Sequence, residues 1–198
     1  MDVGLFFGSF NPIHHGHLIV ASHVVQSGLV QEVWFVVSPQ NPFKNPGSLL
    51  NENHRYYLVQ EAVEGANNLR ASNIEFKLPK PSYTVNTLAY LKEKYPEHHF
   101  SIIMGSDSFQ NLPNWKNAEH IILNYPIIIY PRKNHEIKND SGANISIAKA
   151  PLIEISSTHI RELIRSRKSI RYYVPETVRT AIETNMFYYT ESENPTHQ

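Results

Sequence analysis

The chain has 198 residues, enough to bury one proper core, and reads as a single domain over 1–189 with a polar tail, 190–198, expected to be disordered. Eighteen basic and eighteen acidic side chains give a formal net charge of zero, so no overall field draws the chain to nucleic acid or to a membrane surface. Without cysteine, a bilayer-length apolar run or the basic-then-apolar order of a signal peptide, the expectation is a cytoplasmic globular protein with no disulfide framework and no thiolate chemistry.

Val3 to Phe7 is an apolar run that predicts a short buried strand, and Leu18, Ala21, Ser22 and Val25 recur at helical spacing after it. Between them lies Gly8-Ser9-Phe10-Asn11-Pro12-Ile13-His14-His15-Gly16-His17, a strand-to-helix connection. Gly8 has no Cβ to hold a ligand off the backbone, and Pro12 suits a turn before a helix. The first N–H groups of that helix point back at whatever sits above the strand. His14 and His17, three apart, share one face if the helix has begun there, and Gly16 keeps the space between them open. Two imidazoles and a ring of amide donors facing one cavity suit a polyphosphate. A zinc set is not completed, since no Cys or closely spaced acid joins the histidines.

The alternation continues. Glu32 to Val37 predicts a second strand, which runs into a loop with three prolines, Ser38 to Gly47. Helical spacing returns with Tyr57, Leu58, Val59, Ala62 and Val63, then Leu69 to Phe76 reads as a third strand. Tyr83-Thr84 opens a helix carrying Val85, Leu88, Leu91 and Tyr95. His99 to Met104 predicts a fourth strand ending at the polar turn Gly105-Ser106-Asp107-Ser108. Trp115 to Leu123 reads as helical, and Pro126 to Tyr130 as a fifth strand. Arg132 to Asn144 loses periodicity and is expected to be a flexible loop. Leu152 to Ile155 is taken as a sixth strand, leading through Ser156-Ser157-Thr158 into a helix with Ile160, Leu163 and Ile164 inward. Pro175 then suits the first residue of a last helix. Arg161, Arg165, Arg167, Lys168 and Arg171 face only Glu162 in sequence, so an anion site competes there with a solvated helix face.

Strands alternating with helices predict an α/β fold, a Rossmann-like doubly wound parallel sheet with helices on both faces and a small C-terminal helical part. Ligands of such sheets bind beyond the carboxyl ends of the strands, where every motif above is expected to converge. No glycine pair forms G-x-G and no G-x-x-x-x-G-K-[ST] is present, so neither the dinucleotide fingerprint nor a P-loop holds the phosphates.

His14-His15-Gly16-His17 matches the H-x-G-H motif of the nucleotidylyltransferase superfamily, and Ile155-Ser156-Ser157-Thr158-His159-Ile160-Arg161 matches its I-S-S-T-x-x-R motif. With Pro81-Ser82-Tyr83-Thr84, Thr87-Leu88, Gly105-Ser106-Asp107-Ser108, Trp115 and Arg171-Tyr172-Tyr173-Val174-Pro175, the chain most resembles the bacterial nicotinate mononucleotide adenylyltransferases. The resemblance implies transfer of an adenylyl group from ATP to nicotinate mononucleotide, with Mg²⁺ held mainly by ATP phosphates and no protein metal site. It implies that His14, His17, Lys44 and Arg161 are catalytic. ATP would be bound by Gly8, Ser9, Phe10, His14, Gly16, His17, Gly105, Asp107, Ile155, Ser156, Ser157, Thr158 and Arg161. The mononucleotide would lie against Lys44, Tyr83, Thr84, Asp107, Trp115 and Arg132. Taken without the resemblance, Trp115 reads as core packing and Asp107 as a helix cap. The chain departs from the family pattern at Phe43, where a histidine is usual, at Asn11, where Asp is usual, and at Phe7, where many members have glycine. A nicotinamide mononucleotide or phosphopantetheine acceptor, and a non-catalytic ATP-binding module, are the alternatives. Homo-oligomer formation is left open by a neutral surface.

Overall fold

The computed structural model describes residues 1–40 and 49–189. Six strands form one parallel sheet: β1 (Asp2–Gly8), β2 (Glu32–Val37), β3 (Leu69–Ser72), β4 (His99–Gly105), β5 (Ile127–Tyr130) and β6 (Ile145–Ile147). Their spatial order is β3-β2-β1-β4-β5-β6, the doubly wound Rossmann order. The chain runs outward to one edge, returns to the centre and runs to the other, so the switch point falls between β1 and β4.

Side chains alternate across the strands, and each face of the sheet collects its own core. Val33, Phe35 and Val37 of β2 join Phe6, Ile103, Ile128 and Tyr130 on one face. There they meet α1 (His15–Gln26), α2 (Glu52–Val63), α6 (Ser157–Arg165) and α7 (Glu176–Thr184). Trp34 and Val36 join Val3, Leu5, Ile102, Met104, Ile127 and Ile129 on the other. That face is covered by α3 (Thr84–Lys94), α4 (Ser106–Gln110) and α5 (Ala118–Asn124). Such strands are buried on both sides, which explains why they read as continuous apolar runs rather than alternating ones. Among the described residues no helix is long and apolar enough to cross a membrane.

Several expected boundaries move. The sixth strand is Ile145–Ile147, paired with Ile127–Ile129 of β5, and Leu152 to Ile155 is not a strand. Leu152 is 66% exposed and the segment Pro151 to Ser156 lines a cleft, so its apolar character serves a cavity wall. Arg132 to Asn144 is irregular throughout, but held by Gln110 Nε2 donating to the Glu136 carbonyl (2.8 Å) and Asn139 Nδ2 donating to the Ala143 carbonyl (2.9 Å). The third strand stops at Ser72, and Ile74–Lys77 continues as a 3₁₀ turn. Asn117 takes a left-handed conformation (φ 53°), so α5 starts at Ala118 and leaves Trp115 on the turn before it. Pro175 is the cap of α7 rather than its first helical residue. The tail beyond Tyr189 lies outside the described residues.

Candidate active site

The site begins at the carboxyl end of β1. Past Gly8 the chain turns sharply, with Phe10 at φ 44°, a left-handed conformation that a bulky residue adopts only under surrounding constraint. The helix starts at His15, so His14 is its cap, in extended conformation, rather than a helical residue. His14 and His17 nevertheless face each other. Their rings stack with centroids 3.7 Å apart and 23° between planes. Phe10 and Phe6 close on His17 edge-on, at 5.1 and 5.9 Å. A Cβ on Gly16 would sit 3.0 Å from two ring atoms of His14, so glycine is what admits the stacked pair.

His14 is 4% exposed, and its Nδ1 has no hydrogen-bond partner among the described residues. Burial, with the positive charge of Arg132 and then His15, brings its pKa down to about 3. The imidazole is neutral at physiological pH, with one N–H to donate.

The Ile155 to Arg161 segment meets this loop directly. Ser157 Oγ donates to the Pro12 carbonyl at 2.8 Å, and Arg161 Nη1 to the Asn11 carbonyl at 2.8 Å. Ser156 caps α6 by accepting from the His159 amide (3.2 Å), and Arg161 Nη2 donates to Thr158 Oγ1 (3.3 Å). The three hydroxyls are therefore engaged within the protein, and this segment offers a ligand its Ser157 and Thr158 amides at the start of α6.

Three lobes of one cleft share Phe6 and Tyr130 in their walls. The central lobe, about 550 Å³, is lined by Gly8 to Asn11, both histidines, Asp107, Arg132, Ser156 to Thr158 and Arg161. A second, about 340 Å³, continues past Gly16 and Arg132 to the Pro151 to Ser156 segment. The third, about 440 Å³, opens between the ends of β1 and β4 and holds Tyr83, Thr84, Gly105 and Trp115. Ile155 lies on both the central and second lobes. Arg132 is oriented by Tyr130, whose hydroxyl accepts from Nη2 at 3.1 Å, and sits 4.0 Å from the Asp107 carboxylate. Every expected site residue that is described thus lines this cleft. Lys44, and with it Asn41 and Phe43, lies outside the described residues.

Three residues went unread in the sequence. Arg55, 0% exposed, donates to four backbone carbonyls from beneath the loops. A lone arginine in an amphipathic helix carries no sequence mark separating it from a solvated one. Glu75, 1% exposed, accepts from Thr87 Oγ1 at 2.8 Å and forms part of the floor of the third lobe. Burial raises its pKa, against the lowering effect of the Thr87, Ser38 and Ser82 hydroxyls. Lys116 lies over the Tyr83 ring (4.4 Å) and brings a positive charge to the same lobe.

A doubly wound sheet with a histidine pair and a helix N-terminus at its switch point is the architecture of a nucleotidyltransferase. The family model for cytidylyltransferase-like proteins matches residues 5–163, and the chain belongs to that family. Within it, the chain belongs to the nicotinate-nucleotide adenylyltransferases. It is 48% identical over 191 residues to the probable nicotinate-nucleotide adenylyltransferase of Cytophaga hutchinsonii, covering 95% of this chain and 98% of that one. To the protein of the same name from Flavobacterium psychrophilum it is 47% identical, covering 95% and 99%. Its fold is that of the Plasmodium falciparum nicotinic acid mononucleotide adenylyltransferase solved with NaAD, with a TM-score of 0.81 at 20% identity over 94% and 97% of the two chains.

Proposed function

We propose that the chain transfers the adenylyl group of ATP to nicotinate mononucleotide, giving nicotinate adenine dinucleotide and pyrophosphate, in the synthesis of NAD. The observation that carries this reading is the central lobe, where the stacked histidines face the start of α6 between two flanking lobes. The mononucleotide phosphate attacks the α-phosphorus, an oxygen–phosphorus bond forms, and the bond to the β-phosphate oxygen breaks in line. The attacking group is already an anion, so no strong base is required. Catalysis is positioning plus stabilisation of charge on the phosphoryl oxygens.

In this reading His14 and His17 donate to the α-phosphate, while Arg161, Lys44 and the amides of Ser9, Phe10, Ser157 and Thr158 receive the remaining phosphate charge. Adenosine occupies the second lobe, against Gly16 and Ile155, with Asp107 at its edge and Gly105 in the neighbouring Trp115 lobe. Trp115 stacks on the pyridine ring. The nicotinate carboxylate meets the start of α3 at Tyr83 and Thr84, where no side chain caps the helix, within the field of Lys116. Mg²⁺ would enter as part of the MgATP substrate, carried mainly by phosphate oxygens and water. It would neutralise charge on the departing pyrophosphate. Zero net charge supports action without nucleic acid or membrane partners, while a chain length suited to one core and the lack of cysteine support one domain over 1–189 working in the cytoplasm.

The test is pyrophosphate release from MgATP with nicotinate mononucleotide, nicotinamide mononucleotide and phosphopantetheine in parallel. Turnover is expected with nicotinate mononucleotide. Preference for another acceptor overturns the substrate, and silence with all three in protein that binds ATP overturns the reaction.

A further inference from the structure

Four carbonyls of the first loop are held by donors within the protein. Gly8 accepts from the Ser38 amide (2.9 Å), Asn11 from Arg161 and Pro12 from Ser157. The Ser9 carbonyl is held by Arg55, whose Nη1 lies 2.6 Å away and also donates to Ser38 at 2.8 Å. Its Nη2 reaches the Pro39 carbonyl at 3.0 Å and Nε the Leu50 carbonyl at 2.8 Å. In a trans peptide the N–H opposes the C=O, so fixing the Ser9 carbonyl on Arg55 sends the Phe10 amide the other way. Both Ser9 and Phe10 line the central lobe, and neither amide donates to another described residue. No carboxylate pairs with Arg55 among the described residues, and the nearby Glu52 is bonded to Lys80 at 2.6 Å. Four carbonyls accept directly from the guanidinium, with the charge of Glu52 acting on it from nearby, and the remaining field of the cation acts on the lobe beyond them.

We infer that Arg55 is a positioning residue for adenylyl transfer: it turns the carbonyls after β1 and β2 away from the cleft, leaving an amide cradle and a buried positive charge for the ATP phosphates. This rests on the function proposed above. Lysine at this position keeps the charge but cannot hold four carbonyls, and methionine keeps only the apolar stem.

The experiment compares wild type with Arg55→Lys and Arg55→Met, with kcat expressed per ATP-binding site titrated by calorimetry. For Arg55→Lys the ATP dissociation constant should rise on the order of tenfold and kcat fall on the order of a hundredfold, the scale for losing a preorganised donor, while KM for the mononucleotide stays within about threefold. Arg55→Met should lose more. Wild-type kcat in a folded Arg55→Lys, equal rises in both KM values, or failure of both variants to fold overturns the inference by making the residue merely structural. If wild type itself is silent with all acceptors, the proposed function falls instead. ATP affinity then decides for Arg55: weakening in Arg55→Lys supports the cradle, and unchanged affinity overturns it.

Discussion

His14 shows how one side chain links stability to chemistry. Its folded pKa, about 3, lies below the ordinary histidine value of 6.5 because burial and Arg132 disfavour the cation. The unfolded chain therefore binds the extra proton first, and stability held above pH 6.5 is lost as pH falls toward 3. In urea melts, the stability of wild type minus that of His14→Asn should decline across that window and be flat above it. A constant difference would show that His14 titrates normally in the folded protein. Glu75 runs the other way. Its folded pKa is raised, so its contribution is fully present below the ordinary carboxylate value of 4.5 and is lost as pH rises through the folded value. Wild type should lose stability relative to Glu75→Gln on going from pH 4 to pH 8. A difference that instead grew with pH would mean that the hydroxyls of Ser38, Ser82 and Thr87 outweigh burial.

Glycine separates fold from site at the scale of the element. In β1, a Cβ on Gly4 would stand 2.7 Å from Ile103 Cδ1 inside the core, so Gly4→Ala should cost about 1–3 kcal/mol of stability and leave kcat per folded molecule unchanged. In the first turn of α1, Gly16→Ala improves helix propensity but presses on the His14 ring. Its melting temperature should hold or rise while kcat falls on the order of tenfold or more, as for a misplaced catalytic group. Parallel losses of stability and activity in both variants would show that the histidine pair is not what Gly16 serves. The same elements explain how much could be read in advance. β1, β2, β4 and β5 are buried on both faces, and their apolar runs stood out. β6 is three residues with a serine at its centre, weaker in pattern than Leu152 to Ile155 nearby, whose apolar residues face a cleft. The Gly8 to His17 and Ile155 to Arg161 stretches carried their chemistry in residue type and spacing. Arg55 and Glu75 did not, because a buried charge is set by what packs over it.

At the scale of the whole molecule, the sheet order brings segments from both ends of the chain to one crevice. The Trp115 lobe opens where the order reverses, the central lobe adjoins it at the end of β1, and the Pro151 to Ser156 lobe continues on the far side. If the two substrates occupy the flanks and react at the centre, the dinucleotide product spans the full cleft. It should exclude each substrate from its lobe and inhibit competitively against both ATP and nicotinate mononucleotide. Tethering the halves makes the second contact intramolecular, so the product should bind more tightly than either mononucleotide alone. Trp115→Ala provides the local control. It should raise KM for nicotinate mononucleotide much more than for ATP, since the ring supplies stacking only in its own lobe. It should also weaken the dinucleotide without altering its competition with ATP. Simultaneous binding of the dinucleotide and either substrate in calorimetric titrations would place that substrate outside the continuous cleft, and equal KM effects from Trp115→Ala would return the tryptophan to the core.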